Sequence, residues 1–208
     1  MKVAIMQPYL FPYIGYWQLI NIVDAFVIYD DVNYFKRGFI NRNYLLQNQQ
    51  SQLFTLELIS ASQNKNINEI LIGSNTNKIL KTIRHNYTKA PYFDIVFPLI
   101  ENLFCSEEKN LSQFLGNSLQ QVSKYLEINT KFLYSSNINN DKSLQAQDRL
   151  IDISQLLDAT DYVNTLGGAE LYNKDDFRKA GIHLSFIKTA NIEYKQYKNE
   201  FVQNLSII

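Results

Sequence analysis

The sequence predicts an α/β fold: a mainly parallel sheet built on an N-terminal βαβ unit, with an inserted helical region. Three observations carry this. The chain opens with two short apolar runs, Lys2 to Met6 and Ala25 to Tyr29, separated by a stretch with helical spacing. Amphipathic helical patterns then occupy most of residues 77–128. Strand-like and helical segments alternate again from Lys131 onward, as they must where helices carry the chain back between parallel strands. With 208 residues and 46% apolar content, a single domain over residues 1–208 is expected.

Taken in order, Lys2-Val3-Ala4-Ile5-Met6 reads as a buried strand, and Gln7-Pro8 ends it because proline offers no ladder donor. Pro12 fixes φ and Gly15 permits a close turn before Tyr16 to Val23, a short helix with Trp17, Ile20 and Val23 inward. Ala25 to Tyr29 is the second strand, parallel to the first through a right-handed crossover. Asn43 to Leu46 is extended, and Ser51 to Leu58 alternates as a strand with Phe54, Leu56 and Leu58 on one face. Asn77 to Tyr87 is an amphipathic helix with Ile79, Leu80, Ile83 and Tyr87 at helical spacing, and Pro91 stops it.

Phe97 to Phe104, Leu111 to Leu126 and Gln147 to Leu157 are further helices; Phe114, Leu115, Leu119, Val122 and Leu126 form the apolar stripe of the second. Lys131 to Tyr134 and Asp161 to Thr165 are short strands. Asp175 to Ala180 is a short helix closed by Gly181, and His183 to Ile187 an edge strand with His183 exposed. Cys105, next to Leu103-Phe104, is expected to be a small buried apolar residue.

A βαβ unit places ligands at the carboxyl ends of its strands. Those ends carry Gln7 and Tyr9 from the first strand and Asp30 and Asp31 from the second. Beyond them Asn33 to Arg42 mixes cations, amides and aromatics, with Lys36, Asn41 and Arg42 as the polar candidates and Tyr9 and Tyr16 as aromatic ones. Charges gathered at a strand end are costly to bury unless paired, so the run marks either a polar site or a salt-bridge cluster. As a site, Gln7, Asp30, Asp31, Lys36 and Arg42 would line one pocket.

Further along, Lys89 and Tyr92 lie at a helix end where side chains can face a site, and Arg149 serves equally as a salt-bridge partner or a ligand contact. Gly167-Gly168 follows a strand, either as a tight turn or to let backbone N–H groups approach a phosphate or carboxylate, and Tyr172 lies just beyond.

MQPYLFPYIGYWQLI, DAFVIYDDV and KRGFINRN together resemble the opening signature of the WbqC-like family, and YTKAPYF, the LGG with LY after it, and FRKAGIHLSFI resemble its later pieces in order. The resemblance implies a role in bacterial surface-polysaccharide biosynthesis, beside sugar-nucleotide enzymes. Separately, the arrangement around Pro12-Tyr13-Ile14-Gly15-Tyr16 is similar to the HxGH region of nucleotidyltransferases and pantothenate synthetase, with Tyr13 and Tyr16 where histidines would stand. A phenol can donate to a phosphate but carries no positive charge at neutral pH. That likeness leaves ATP open as a cofactor without requiring it.

Composition narrows the rest. Lysines and arginines balance aspartates and glutamates at zero net charge, with no basic block, which argues against nucleic acid as a partner. Met1-Lys2 leads straight into a strand with no apolar stretch suited to export or membrane insertion, so a cytoplasmic protein is expected. Two separated histidines and one cysteine supply no metal ligand set; Asp30 and Asp31 could hold magnesium only through a bound nucleotide.

With these candidates, the resemblance implies, as a first hypothesis, an enzyme acting on a nucleotide-linked sugar. It would transfer an acyl or aminoacyl group to a sugar amine, or form the amide at the expense of ATP. In that scheme Asp30 or Asp31 takes the amine proton, Lys36 and Arg42 neutralise a phosphate or carboxylate, and Gln7, Asn41 and Tyr172 orient the substrate. Arg42, with its bidentate fork, would grip an anion more firmly than Lys89. The alternative is a noncatalytic sugar-nucleotide-binding or scaffold protein of a polysaccharide assembly complex. Either form permits oligomerisation.

Overall fold

A computed structural model describes residues 1–190, 192–196 and 200–208. The strands and helices run, in chain order, β1 (Lys2–Met6), α1 (Ile14–Asn21), β2 (Ala25–Ile28), β3 (Arg42–Gln47), β4 (Gln50–Thr55), β5 (Leu58–Ile59), β6 (Leu71–Ile72), α2 (Thr76–Tyr87), α3 (Phe93–Phe104), α4 (Leu111–Tyr125), β7 (Lys131–Tyr134), α5 (Ala146–Leu156), β8 (Asp161–Thr165), α6 (Lys174–Lys179) and β9 (His183–Ile187). Two compact units form: Met1–Gln7, Gly15–Asp31 and Ser123–Ala190 make the first, and Pro8–Ile14, Val32–Val122 and Asn191–Ile208 the second. Among the described residues no helix is long and apolar enough to cross a membrane.

The first unit holds a five-stranded sheet in the order β7-β2-β1-β8-β9, and every pairing in it is parallel. The expected βαβ start is present, with Met6 opposite Ile28 and Ile28 opposite Tyr134. All four residues of β2 are buried, as a central parallel strand covered on both faces requires. Alternation sends Val3, Ile5, Ala25 and Val27 to one face, where Leu150 and Ile153 of α5 and Phe177 of α6 close the core. The Tyr162 ring lies 5.2 Å from that of Phe177 at 12°. On the other face Tyr16 of α1 meets Phe26 at 5.5 Å, and Phe26 meets Phe132 at 5.8 Å. Trp17, Ile20 and Val23 are buried as expected. Gly181, at φ +79 after α6, takes a left-handed conformation open to glycine at no steric cost. β9 forms the sheet edge and His183 is exposed.

The second unit departs from the sequence reading in four places. The segment read as one strand from Ser51 to Leu58 breaks: β4 ends at Thr55, Leu56 turns inward with its N–H on the Asn41 carbonyl at 2.7 Å, and Leu58–Ile59 pairs with β6 instead. β3 and β4 form an antiparallel hairpin outside the parallel sheet, turned by Asn48 and Gln49 with φ of 48 and 66. Two successive left-handed residues match the twist of a two-residue hairpin, and asparagine tolerates the first position. α3 begins a turn before Phe97 and carries Pro98 inside it, on an exposed face.

Cys105 is exposed rather than buried, because it follows α3 as its C-cap, with its N–H on the Glu101 carbonyl. Leu126, past the end of α4, is 38% exposed and leaves the stripe. Phe114, Leu115, Leu119 and Val122 remain in it, with Phe104 5.6 Å from Phe114 and 5.8 Å from Phe11.

Truncating Phe177 to alanine removes the ring that Tyr162 stacks on, with no solvent to fill the gap. Urea denaturation should show a loss of about 3–5 kcal/mol in unfolding free energy. A loss under about 1 kcal/mol would mean that α6 contributes little to the sheet's core.

Candidate functional site

The strand order of the first unit, read by each strand's place along the chain, is third, second, first, fourth, fifth. This is the doubly wound order in which the chain reverses direction between the first and fourth strands, and ligands bind outside the carboxyl ends of strands at such a point. The reversal lies between β1 and β8. Gln7 extends β1 beside it, and Leu166–Leu171 leaves β8 as a 3₁₀ turn. Tyr29, Asp30 and Asp31 leave the neighbouring β2, and Ser135 and Ser136 leave β7.

Asp30 and Asp31 are buried, at 0% and 8% exposure. Ser135 links them: its Oγ lies 2.5 Å from Asp31 Oδ1 and 3.2 Å from Asp30 Oδ1, and it accepts the Asp30 N–H at 3.1 Å. Asp30 also accepts the N–H of Ser136 at 3.1 Å and the Ser136 hydroxyl at 2.9 Å. Asp31 Oδ2 accepts Arg149 Nη2 at 2.6 Å and lies 3.3 Å from Lys142 Nζ.

Arg149 is itself buried on α5, reached because β7 and α5 fold back over β2. It donates through Nε to Asn140 Oδ1 at 2.9 Å, and its guanidinium lies 5.1 Å over the Tyr29 ring. Burial pulls the Asp31 carboxyl upward, but the Ser135 hydroxyl, Arg149 and Lys142 outweigh that and hold it below the ordinary carboxylate range. Asp31 therefore stays ionised at neutral pH. The buried ion pair is Asp31 with Arg149, and the half-exposed Lys142 ammonium stands at the rim.

Around this network stand tyrosines that burial keeps protonated. Tyr29, Tyr162 and Tyr172 are all pushed above the ordinary phenol value, in each case first by burial. Asn164 Nδ2 donates to the Tyr162 hydroxyl at 3.1 Å, and Tyr172 meets Tyr162 edge-on at 6.2 Å. Gly168 is explained by packing: a Cβ there would sit 3.0 Å from Tyr172 and 3.3 Å from the Asn164 amide, whereas Gly167 is exposed and unobstructed. Tyr16 lies in the core rather than at the rim, and its hydroxyl donates to the Gln7 carbonyl at 2.7 Å. It fixes the end of β1 and so does not offer that proton as a histidine of an HxGH motif would. A shallow depression lined by Lys2, Ile22, Asp161, Val163 and Ser185 lies instead toward the amino ends of β1 and β8, with few converging polar groups.

The remaining candidates belong to the second unit. Arg42 spends its fork on the backbone: Nε donates to the Gly38 carbonyl at 3.0 Å and Nη2 to that of Arg37. Asn41 is buried, accepting the Tyr34 hydroxyl at 2.8 Å and donating to the Leu56 carbonyl at 2.7 Å. Tyr9 is half-buried against Phe39 at 6.1 Å. Lys36 and Lys89 are exposed, as is Tyr92, at 67%.

Ser135, Ser136, Asn140 and Lys142 were not legible as site residues. Their only signal was a Ser-Ser pair at a predicted strand end, which a turn explains equally well. Among the described residues no cluster of three or more histidine, cysteine, aspartate or glutamate side chains is placed to hold a metal ion. A nucleotide-borne magnesium would have Asp30 and Asp31 alone, and their oxygens already carry the donors named above.

Comparison with known proteins gives a family and one relative. The family described as WbqC-like protein family matches residues 7–208. "Uncharacterized protein Rv1507c" of Mycobacterium tuberculosis (strain ATCC 25618 / H37Rv) is 28% identical over 212 residues, spanning 100% of this chain and 91% of that protein. No solved structure matches.

Three measurements test these local assignments. Replacing Arg149 by methionine leaves Asp31 buried without its main counter-charge and should cost about 3–5 kcal/mol of stability at pH 7. Because Asp31 binds its proton less tightly folded than unfolded, its stabilisation is present above the unfolded value near ~3.9 and fades as pH falls through the lower folded value. The stability gap between wild type and Asp31→Asn should therefore narrow below about pH 4; a gap that widens there contradicts the pairing. In the second unit, Arg42→Ala should release the loop it braces and speed tryptic cleavage after Lys36 and Arg37. Unchanged cleavage kinetics would show that the loop is held by its other bonds.

Proposed function

Since the chain belongs to the WbqC-like protein family, we propose that it is an enzyme of bacterial surface-polysaccharide biosynthesis that transfers an acyl or aminoacyl group to the amine of a nucleotide-linked amino sugar. The observation that carries this reading is the ionised Asp31, buried beside Asp30 at parallel strand ends and paired with Arg149 and the rim ammonium of Lys142. An ionised carboxylate at such a strand end suits a substrate that becomes cationic during the reaction.

In this scheme the amine nitrogen attacks the carbonyl carbon of an activated acyl donor. A C–N bond forms and develops positive charge on nitrogen, the leaving group departs, and the surplus proton passes toward the carboxylates. Asp31 stabilises the ammonium as it forms, and Arg149 is a positioning residue that sets the carboxylate's orientation. Gln7 and Tyr172, an amide and a neutral phenol that are both partly exposed, orient the sugar. In a ligase form of the same chemistry, ATP activates the acyl group.

A second reading, a noncatalytic sugar-nucleotide-binding protein, draws on one specific observation. All four oxygens of Asp30 and Asp31 already have a donor, which limits their freedom to take up a proton.

The purified protein would be incubated with UDP- and dTDP-linked amino sugars, with acetyl-coenzyme A or with amino acids and ATP, and the sugar nucleotide followed by mass spectrometry. The expected result is a mass gain on the sugar. Asp31→Asn, checked for folding by near-UV circular dichroism, should lower kcat/KM by about 100-fold or more, in the range general acid–base groups contribute. Binding without transfer under every condition favours the noncatalytic reading, and neither binding nor transfer eliminates both.

A further inference from the structure

The loop between Tyr34 and Asn41 in the second unit displays two large rings and two cations together. Phe35 is 62% and Phe39 45% exposed, and Lys36 and Arg37 between them are exposed as well. Among the described residues neither cation takes part in an ion pair. Two exposed rings within five residues of one loop are more than the scattered apolar residues every surface carries.

The display is built and fixed. The Phe39 carbonyl accepts the Leu10 N–H at 3.1 Å, and the Gly38 N–H bonds to the Phe35 carbonyl at 3.4 Å. The Arg42 fork holds the carbonyls of Arg37 and Gly38, and the base of the loop is closed by the Tyr34 N–H on the Lys65 carbonyl at 2.9 Å. Arg37 sits at φ 68, a left-handed conformation costing roughly 1–2 kcal/mol for a residue with a Cβ. That conformation belongs to the turn the Gly38 N–H closes on the Phe35 carbonyl, in which Arg37 stands third, where a tight turn can take positive φ. A Cβ on Gly38 would come within 3.1 Å of the Phe35 ring, so glycine lets that ring lie against the loop. Phe39 is backed by Tyr9 at 6.1 Å and Tyr44 at 6.5 Å, which fixes its inner side and leaves an outer one free.

We propose that this loop is a binding element for a nucleoside diphosphate, the base stacking on Phe39 and the phosphates lying against Lys36 and Arg37. The assignment rests on the proposed function only for the nucleotide-linked class of ligand. The chemistry selects that class. A simple anion would need the cations but not the rings, and an apolar partner the rings but not the cations. Stacking is tolerant of which base is bound, and guanidinium and ammonium groups both suit phosphate. A loop already held by its own hydrogen bonds lowers the ordering cost of binding.

The test is a titration of ¹⁵N-labelled full-length protein with UDP, dTDP, ADP and GDP, with inorganic pyrophosphate as the charge-only probe and phosphatidylglycerol vesicles as the membrane probe. Nucleoside diphosphates should shift the amides of Phe35 to Phe39. Phe39→Ala should weaken their binding about tenfold, a loss within the range of one base–aromatic stack, and leave pyrophosphate binding unchanged. The double variant Lys36→Gln/Arg37→Gln should weaken both. All three substitutions are at exposed positions, so folding should be retained, which circular dichroism checks.

The proposal is overturned if millimolar nucleoside diphosphates shift no amide of the loop, or if the variants bind them as wild type does. It is equally overturned if only vesicles bind and Phe35→Ala/Phe39→Ala abolishes that, which would make the loop a membrane contact. Loop binding of UDP without any acyl transfer would defeat the proposed reaction and leave this assignment standing. Transfer at an unchanged kcat/KM in the loop variants would do the reverse.

Discussion

The pairing of Asp31 with Arg149 is the constraint on which the first unit's polar end depends. A parallel strand covered on both faces leaves no water for the two carboxylates that follow it, and an unpaired buried charge costs several kcal/mol. The chain meets that demand from three separate segments. Ser135 and Ser136 come from the end of β7, Asn140 and Lys142 from the loop after it, and Arg149 from α5. The ion pair thus ties residues 118 apart in sequence to one strand end. Replacing such a network with apolar side chains is often neutral or stabilising in proteins, so stability alone gives weak reason for it. A site that must hold charge in a fixed place gives a better one.

The second unit uses polar side chains differently. Arg42, Asn41 and Asn43 donate mainly to backbone carbonyls. Asn43 Nδ2 reaches those of Leu10 and Phe11 at 3.0 and 2.8 Å, and the Ser206 hydroxyl joins Phe11 at 2.9 Å. Phe11 sits at φ 43, and these donors satisfy its carbonyl in that strained conformation. The result is a set of irregular segments held by side chains, as loops must be when no ladder is available to pair their peptide groups. The tethering gives the loop its fixed rings and cations and engages Arg42 Nε and Nη2 with backbone carbonyls.

Much of this was readable in the sequence, for physical reasons. Apolar runs of strand length separated by helical spacing gave β1, α1 and β2, and burial on both faces is what makes those runs continuous. Asp30 and Asp31 could be picked out because charge directly after a buried strand demands a partner. What sequence alone determined, then, is the alternating α/β plan, the parallel start and the place where charge accumulates, since these follow from local periodicity and from the cost of burying ions. Tertiary structure decided the rest. Periodicity is blind to which distant residue answers a charge, so Ser135, Asn140 and Lys142 emerged only with the packing of β7 and α5 on β2. It is equally blind to whether a donor meets a ligand or a backbone carbonyl, which is how Arg42 came to brace a loop, Tyr16 came to hold the end of β1, and Gly168 came to make room for Tyr172.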